Sequence, residues 1–176
     1  TITHATTQFD FLYSNIVTTE PINTPVELEF SHLFSAFCVT ALNRDESATI
    51  TIEKITINGL NNTKSATIDF RGAQPAVTYF PDATSGSFEF NYTGEVLGTT
   101  AKVLTDKYLI WPQTASDFAD ATLTIVYDYT SKDGQKSTHT SPALPLSAIA
   151  AWEAGVVNTI NIEFDFSFAP PAIGLN

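Results

Sequence analysis

The feature that most constrains this chain is a strict two-residue alternation, clearest in residues 159–168, TINIEFDFSF. Ile160, Ile162, Phe164, Phe166 and Phe168 hold the even positions; Asn161, Glu163, Asp165 and Ser167 hold the odd ones. Successive side chains of a strand point to opposite faces, so one face is apolar and the other polar. The expectation is a half-buried strand of about ten residues, at the long end of the usual range.

The same period recurs along the sequence. Val26, Leu28 and Phe30 alternate with Glu27 and Glu29, and the even phase runs on through His32, Phe34, Ala36 and Cys38. Ile50 and Ile52 alternate with Thr49 and Thr51; Glu53-Lys54 then moves the phase to Ile55 and Ile57. An inserted residue that flips the phase is what a β-bulge does. Gly59 is expected to end that strand. Further strands are expected at 66–70, 76–80, 87–92, 108–111, 123–129 and 137–142, separated by turn signals such as Ser85-Gly86 and Asp133-Gly134. Leu123, Ile125, Tyr127 and Tyr129 share one face. No long window is helical. The candidates are a short helix over 146–152, entered by Pro145 and stopped by Gly155, and a single turn at 117–119. The pattern predicts an all-β chain folded as an antiparallel β-sandwich of about 7–10 strands, with one or two short helical turns.

Composition narrows the function classes. At 43% hydrophobic and 12% aromatic, the 176 residues can bury a real core in one domain. A net charge of −11 argues against nucleic acid, whose phosphates would repel it. The sequence contains no methionine, and the reading expects it to begin after a processing site, with any export signal already removed. No apolar run approaches the ~20 residues that span a bilayer as a helix. A membrane link is expected only through a processed lipid anchor or another domain. Residues 1–168 are read as a single sandwich domain, and 169–176, which contain Pro170-Pro171, as a tail or linker toward a second domain.

Sites of chemistry are sparse. The lone Cys38 lies in an apolar run and reads as a small buried hydrophobe. His4, His32 and His139 are far apart, with no second ligand at strand or helix spacing, so no metal is expected. His32 shares a face with Phe30 and Phe34 and is read as a core histidine; His139 is read as solvated. Asp117 and Asp120 lack the spacing of a calcium loop. No Gly-x-Ser-x-Gly, Ser-x-x-Lys or phosphate-cradling loop is present. A glycosidase needs paired carboxyl groups across a cleft; Glu27, Glu29, Glu89, Glu163 and Asp165 instead lie on polar strand faces. Trp111, Tyr127 and Tyr129 are candidates for a sugar platform, although the two tyrosines share the Leu123/Ile125 phase and fit a core better. The expectation is no enzyme and no cofactor.

Four segments, in order, resemble the fimbrillin-like proteins of Bacteroides-type bacteria, matching their N-terminal domain. They are QFDFLYS at 8–14, VELEFSHLFSAFCV at 26–39, YLIWPQ at 108–113, and Trp152-Glu153-Ala154-Gly155 followed by TINIEF. The family often has Tyr-x-Tyr after that Gly, where this chain has Val157 and Thr159. The resemblance marks His32, Pro112, Gln113, Trp152 and Gly155 as structural motif residues. It implies a transthyretin-like β-sandwich, exported as a lipoprotein precursor and used at the outer membrane surface as a pilus (fimbrium) or adhesion subunit. Its implied partners are other pilus subunits, joined by β-strand exchange, with host or bacterial surface receptors or glycans beyond them. Ile160, Ile162, Phe164, Phe166 and Phe168 are then the closing strand of this subunit, or its donor strand. Closing is the expectation, with Phe164 and Phe166 in the core. A surface carbohydrate-binding module is the second reading, and a jelly-roll hydrolase the third.

Overall fold

Alternation becomes strand pairing almost everywhere in a computed structural model, which describes residues 9–17, 25–61, 64–81, 85–166 and 172–175. His4, Phe168 and Pro170-Pro171 lie outside the described residues. The strands are β1 (Leu12–Ser14), β2 (Phe30–His32), β3 (Ser35–Asn43), β4 (Ala48–Asn61), β5 (Lys64–Asp69), β6 (Ala76–Pro81) and β7 (Ser85–Leu97). They continue with β8 (Lys102–Ile110), β9 (Thr122–Ser131), β10 (Lys136–Thr140), β11 (Leu144–Pro145), β12 (Val157–Asp165) and β13 (Ala172–Leu175). One sheet has the order β10-β9-β4-β7, with β11 also on β9; the other has the order β13-β12-β3-β8. The two sheets close a β-sandwich, and β1-β2 and β5-β6 form separate two-stranded ribbons.

The phase shift read at Glu53 is a bulge on both sides of β4. Ile52 opposes Tyr127 while Lys54 opposes Val126, and the register against β7 slips at the same place. The extra residue lets Ile50, Ile52, Ile55 and Ile57 all face inward. Gly59 does not end the strand. It makes a second bulge at φ +88°, and a Cβ there would stand 2.9 Å from the Ala121 backbone, so β4 continues to Asn61.

Between the sheets lie Phe37, Val39, Ile50, Ile52, Ile55, Ile57, Leu123, Ile125, Ile160, Ile162 and Phe164, all buried. Full burial of each large side chain stabilises the fold by about 1.5–3 kcal/mol. One pair departs from the antiparallel rule. β12 runs parallel to β3, from Val157 opposite Ala36 to Phe164 opposite Asn43. Parallel neighbours cannot be joined by a hairpin; here the chain passes through β4 to β11 between them, and residues 146–156 lead from β11 into β12. The expected helix at 146–152 is absent: a single turn closes from the Ile149 N–H to the Leu146 carbonyl, and the chain then runs irregularly. Ala115–Phe118 does form the short 3-10 turn read near Asp117. Of the segment read as tail or linker, Ala172–Leu175 pairs with β12 as β13.

Candidate functional site

The motif residues meet at one end of the sandwich. Gln113 is buried, and its side chain behaves like a length of strand. Its Nε2 donates to the Asn61 carbonyl (2.9 Å) and the Trp111 carbonyl (2.8 Å), while its Oε1 accepts from the Asn61 N–H (3.1 Å). Its backbone exchanges both hydrogen bonds with Trp152. Trp152, anchored so, stacks on Phe37 (centroids 5.3 Å) and meets Phe118 edge-on (4.9 Å). Gly155 turns the chain into β12 at φ +77°, and its N–H donates to the Phe34 carbonyl. Pro112 and Gln113 line a groove of about 350 Å³ with Tyr79, Trp152 and Glu153.

His32 does not fit the core reading. The strand bends at Leu33-Phe34, so the even phase of 26–32 does not continue into β3, where Phe37, Val39 and Ala41 face inward. His32 is half exposed, lies beside Gly155, and its Nδ1 meets Asp10 Oδ2 at 2.5 Å. Cys38 shifts with it. The thiol is partly buried on the outer face, 3.2 Å from Thr159 Oγ1, rather than packed between the sheets.

The closing strand is held from both sides. β12 buries Ile160, Ile162 and Phe164, and Phe166 follows it partly buried against Tyr129 (5.4 Å). Its outer face adds a polar ladder to β3: Cys38 with Thr159, Thr40 with Asn161 (2.7 Å), and a two-pronged Arg44–Glu163 pair (2.8 Å each). Across the sandwich, Asp128 is buried under Lys136 (2.7 Å) and Thr138 (2.6 Å), whose hydrogen bonds hold its carboxyl below the usual range.

The N-terminal ribbon contrasts with this. Tyr13 packs toward a small cluster of Leu33, Phe34 and Trp111, walled by β5-β6 residues Ala66, Ile68, Val77 and Tyr79. Leu12, Val26, Leu28 and Phe30 stay exposed, Phe30 at 61%. Trp111, a candidate for a sugar platform, is buried against Phe34 at 4.6 Å. Tyr127 is buried and Tyr129 partly so, and the three form no exposed row. Among the described residues, no three His, Cys, Asp or Glu side chains converge as a metal site would require. His139 is exposed and stacks on Tyr127 (5.5 Å). Asn61, Asp10 and Phe118 were not legible as partners of the motif, because the contacts they make are non-local.

No curated protein matches this chain. Two solved structures resemble it distantly, both candidate cell adhesion proteins. The one from Bacteroides uniformis is 14% identical with a TM-score of 0.37, over 86% of this chain and 52% of that one. The one from Bacteroides fragilis is 13% identical with a TM-score of 0.40, over 91% and 50%. The chain thus spans about half the length of these structures. The model of the fimbrillin-like family matches residues 3–167, nearly the whole sandwich, and the chain belongs to that family.

Proposed function

We propose that this chain is a non-enzymatic subunit of a surface fimbria or adhesion assembly, joined to its neighbours by β-strand exchange. The family match over residues 3–167 carries the reading. The motif residues support it by their chemistry: Gln113, Trp152 and Gly155 satisfy backbone groups and fill the core, and none is placed to react with a substrate. The subunit is exported and held at the outer membrane surface by a processed lipid anchor, with residues 1–168 and the added strand β13 as one sandwich domain.

The strand that gives way is the N-terminal one, and a strand of the neighbouring subunit takes its place. β1 is short, and its removal uncovers one edge of β2 and the Tyr13 side of the small cluster. An incoming strand restores the main-chain bonds and refills that pocket. β12 stays in its own subunit as the closing strand. No Lys or Arg precedes Arg44, so a protease specific for those residues cannot release β1 by cutting within residues 1–43.

The test is deletion of residues 1–17, followed by analytical ultracentrifugation and electron microscopy. The reading expects linear multimers from the trimmed chain and monomers from the full one. Trimmed protein that remains folded and monomeric would contradict it.

A further inference from the structure

The N-terminal segment meets two different surroundings, one apolar and one charged. Its register against β2 is fixed at both ends: the Leu33 N–H donates to the Phe11 carbonyl (2.8 Å), and the Asn15 N–H to the Glu29 carbonyl (3.0 Å). Between them Leu12 opposes His32 and Tyr13 opposes Ser31. Asp10, two residues before β1, is an odd number of positions from Tyr13, and an extended chain sends such a pair to opposite faces. Tyr13 packs toward Leu33, Phe34 and Trp111. Asp10 instead lines a pocket of about 190 Å³ with His32 and Lys107, over a floor that includes Ala36, Leu109 and Val157. There its Oδ2 accepts from the His32 Nδ1 at 2.5 Å, since an ionised carboxylate can only accept.

The pocket selects by charge and the cluster by bulk. β1 pairs with β2 over three residues, so main-chain bonds carry little selectivity, and the side chains at 10 and 13 supply it. His32 and Lys107 are the basic groups of the pocket, and a cation in place of Asp10 would face both. A molecule of net charge −11 otherwise attracts basic segments, so a preference for an acidic one is specific to this pocket. We infer that the strand accepted beside β2 carries a carboxylate and, three positions later, an aromatic side chain, with His32 and Lys107 reading the carboxylate. The inference rests on the assembly reading and deepens it by naming the chemistry of the neighbour's strand.

The test keeps every residue of the chain. A sequence-specific protease site is placed within residues 18–24, the folded protein is cut there, and labelled peptides compete for the place of β1, read by fluorescence anisotropy. The peptide of residues 9–17 is expected to enter the cut protein and not the uncut one. Its Asp10→Lys form is expected to bind about tenfold more weakly, a difference that shrinks as salt rises. Its Tyr13→Ser form is expected to lose more than about tenfold. His32→Glu with Lys107→Glu is expected to reverse the charge preference, with the melting curve checking that this variant is folded. The peptide series on the unaltered pocket decides the inference even where that variant does not fold. Equal binding of the native and Asp10→Lys peptides, no entry of the native peptide into the cut protein, or a folded double variant that keeps the native preference would overturn the inference. Multimers from the chain lacking residues 1–17, with no preference among the peptides, overturn this inference alone. A cut protein that shows the preference while the shortened chain stays monomeric overturns strand exchange alone.

Discussion

Each of the two tryptophans reports on a different kind of core. Trp152 lies in the main core, stacked on Phe37, met by Phe118, and tied to Gln113 through the backbone. Trp111 lies in the small cluster with Leu33 and Phe34, roofed by the two ribbons, and its buried indole N–H has no hydrogen-bond partner among the described residues. The first core is enclosed by two full sheets. The second is enclosed by half-buried side chains on short ribbons whose other faces meet solvent. An unpartnered buried donor costs about 1–3 kcal/mol, and near the first core the Asn61 side-chain carbonyl is likewise without a partner among the described residues, so the difference between the two regions lies in their cover. The lesson is that the cover is thinnest at the N-terminal ribbon, where the proposed exchange would act, and fullest over the sandwich core.

The comparison can be broken by mutation, and the largest effect is expected at Trp152. Trp152→Ala should cost about 3–5 kcal/mol in chemical denaturation, with loss of hydrogen-exchange protection across both sheets. Trp111→Ala should cost less, and its lost protection should be confined to β1-β2 and β5-β6. Equal, global losses from both would erase the distinction between the two cores. Next comes Gln113→Leu, which strands the part-buried N–H and carbonyl of Asn61; about 1–3 kcal/mol should be lost by the same measurement.

Asp128 gives a smaller, pH-dependent effect. Its folded-state pKa is lowered, first by the hydrogen bond from Lys136 and then by that from Thr138. A lowered carboxylate contributes stability that is present above the unfolded pKa and lost as pH falls through the folded one. The loss should therefore appear below about pH 4. Asp128→Asn should flatten that acid limb of the melting-temperature profile, and an unchanged limb would refute the assignment. The smallest effect is expected from Trp111→Phe. It deletes the unpartnered donor and keeps an aromatic ring against Phe34, so stability should change by less than about 1.5 kcal/mol in either direction.

Much of the sandwich is legible in alternation, and the failures have local causes. The bulge at Glu53 was readable because isoleucines stand on both sides of the phase shift and fix the inward face. Gly59 looked like a strand end because the sequence does not show Ala121 pressed against it. Extending one phase through Leu33-Phe34 places His32 and Cys38 in the core, whereas the chain bends there and the phase resets. Residues 146–152 looked helical from Pro145 and Gly155. Leu146 is instead tied by its N–H to the Ala121 carbonyl, a contact that sequence spacing cannot reveal. The motif residues were legible only through the family resemblance, since Gln113 acts on Asn61, fifty-two positions away.

The account depends most on β12 remaining in its own subunit while the N-terminal side exchanges. Cys38 and Thr159 are direct partners on β3 and β12, with Sγ and Oγ1 3.2 Å apart, so Thr159→Cys can form a disulfide that fastens β12 in place. The decisive measurement is multimer formation by the chain lacking residues 1–17, with that disulfide oxidised and then reduced. The account predicts the same linear multimers in both states. Oxidised protein that stays monomeric while reduced protein assembles would make β12 the donor strand and contradict it.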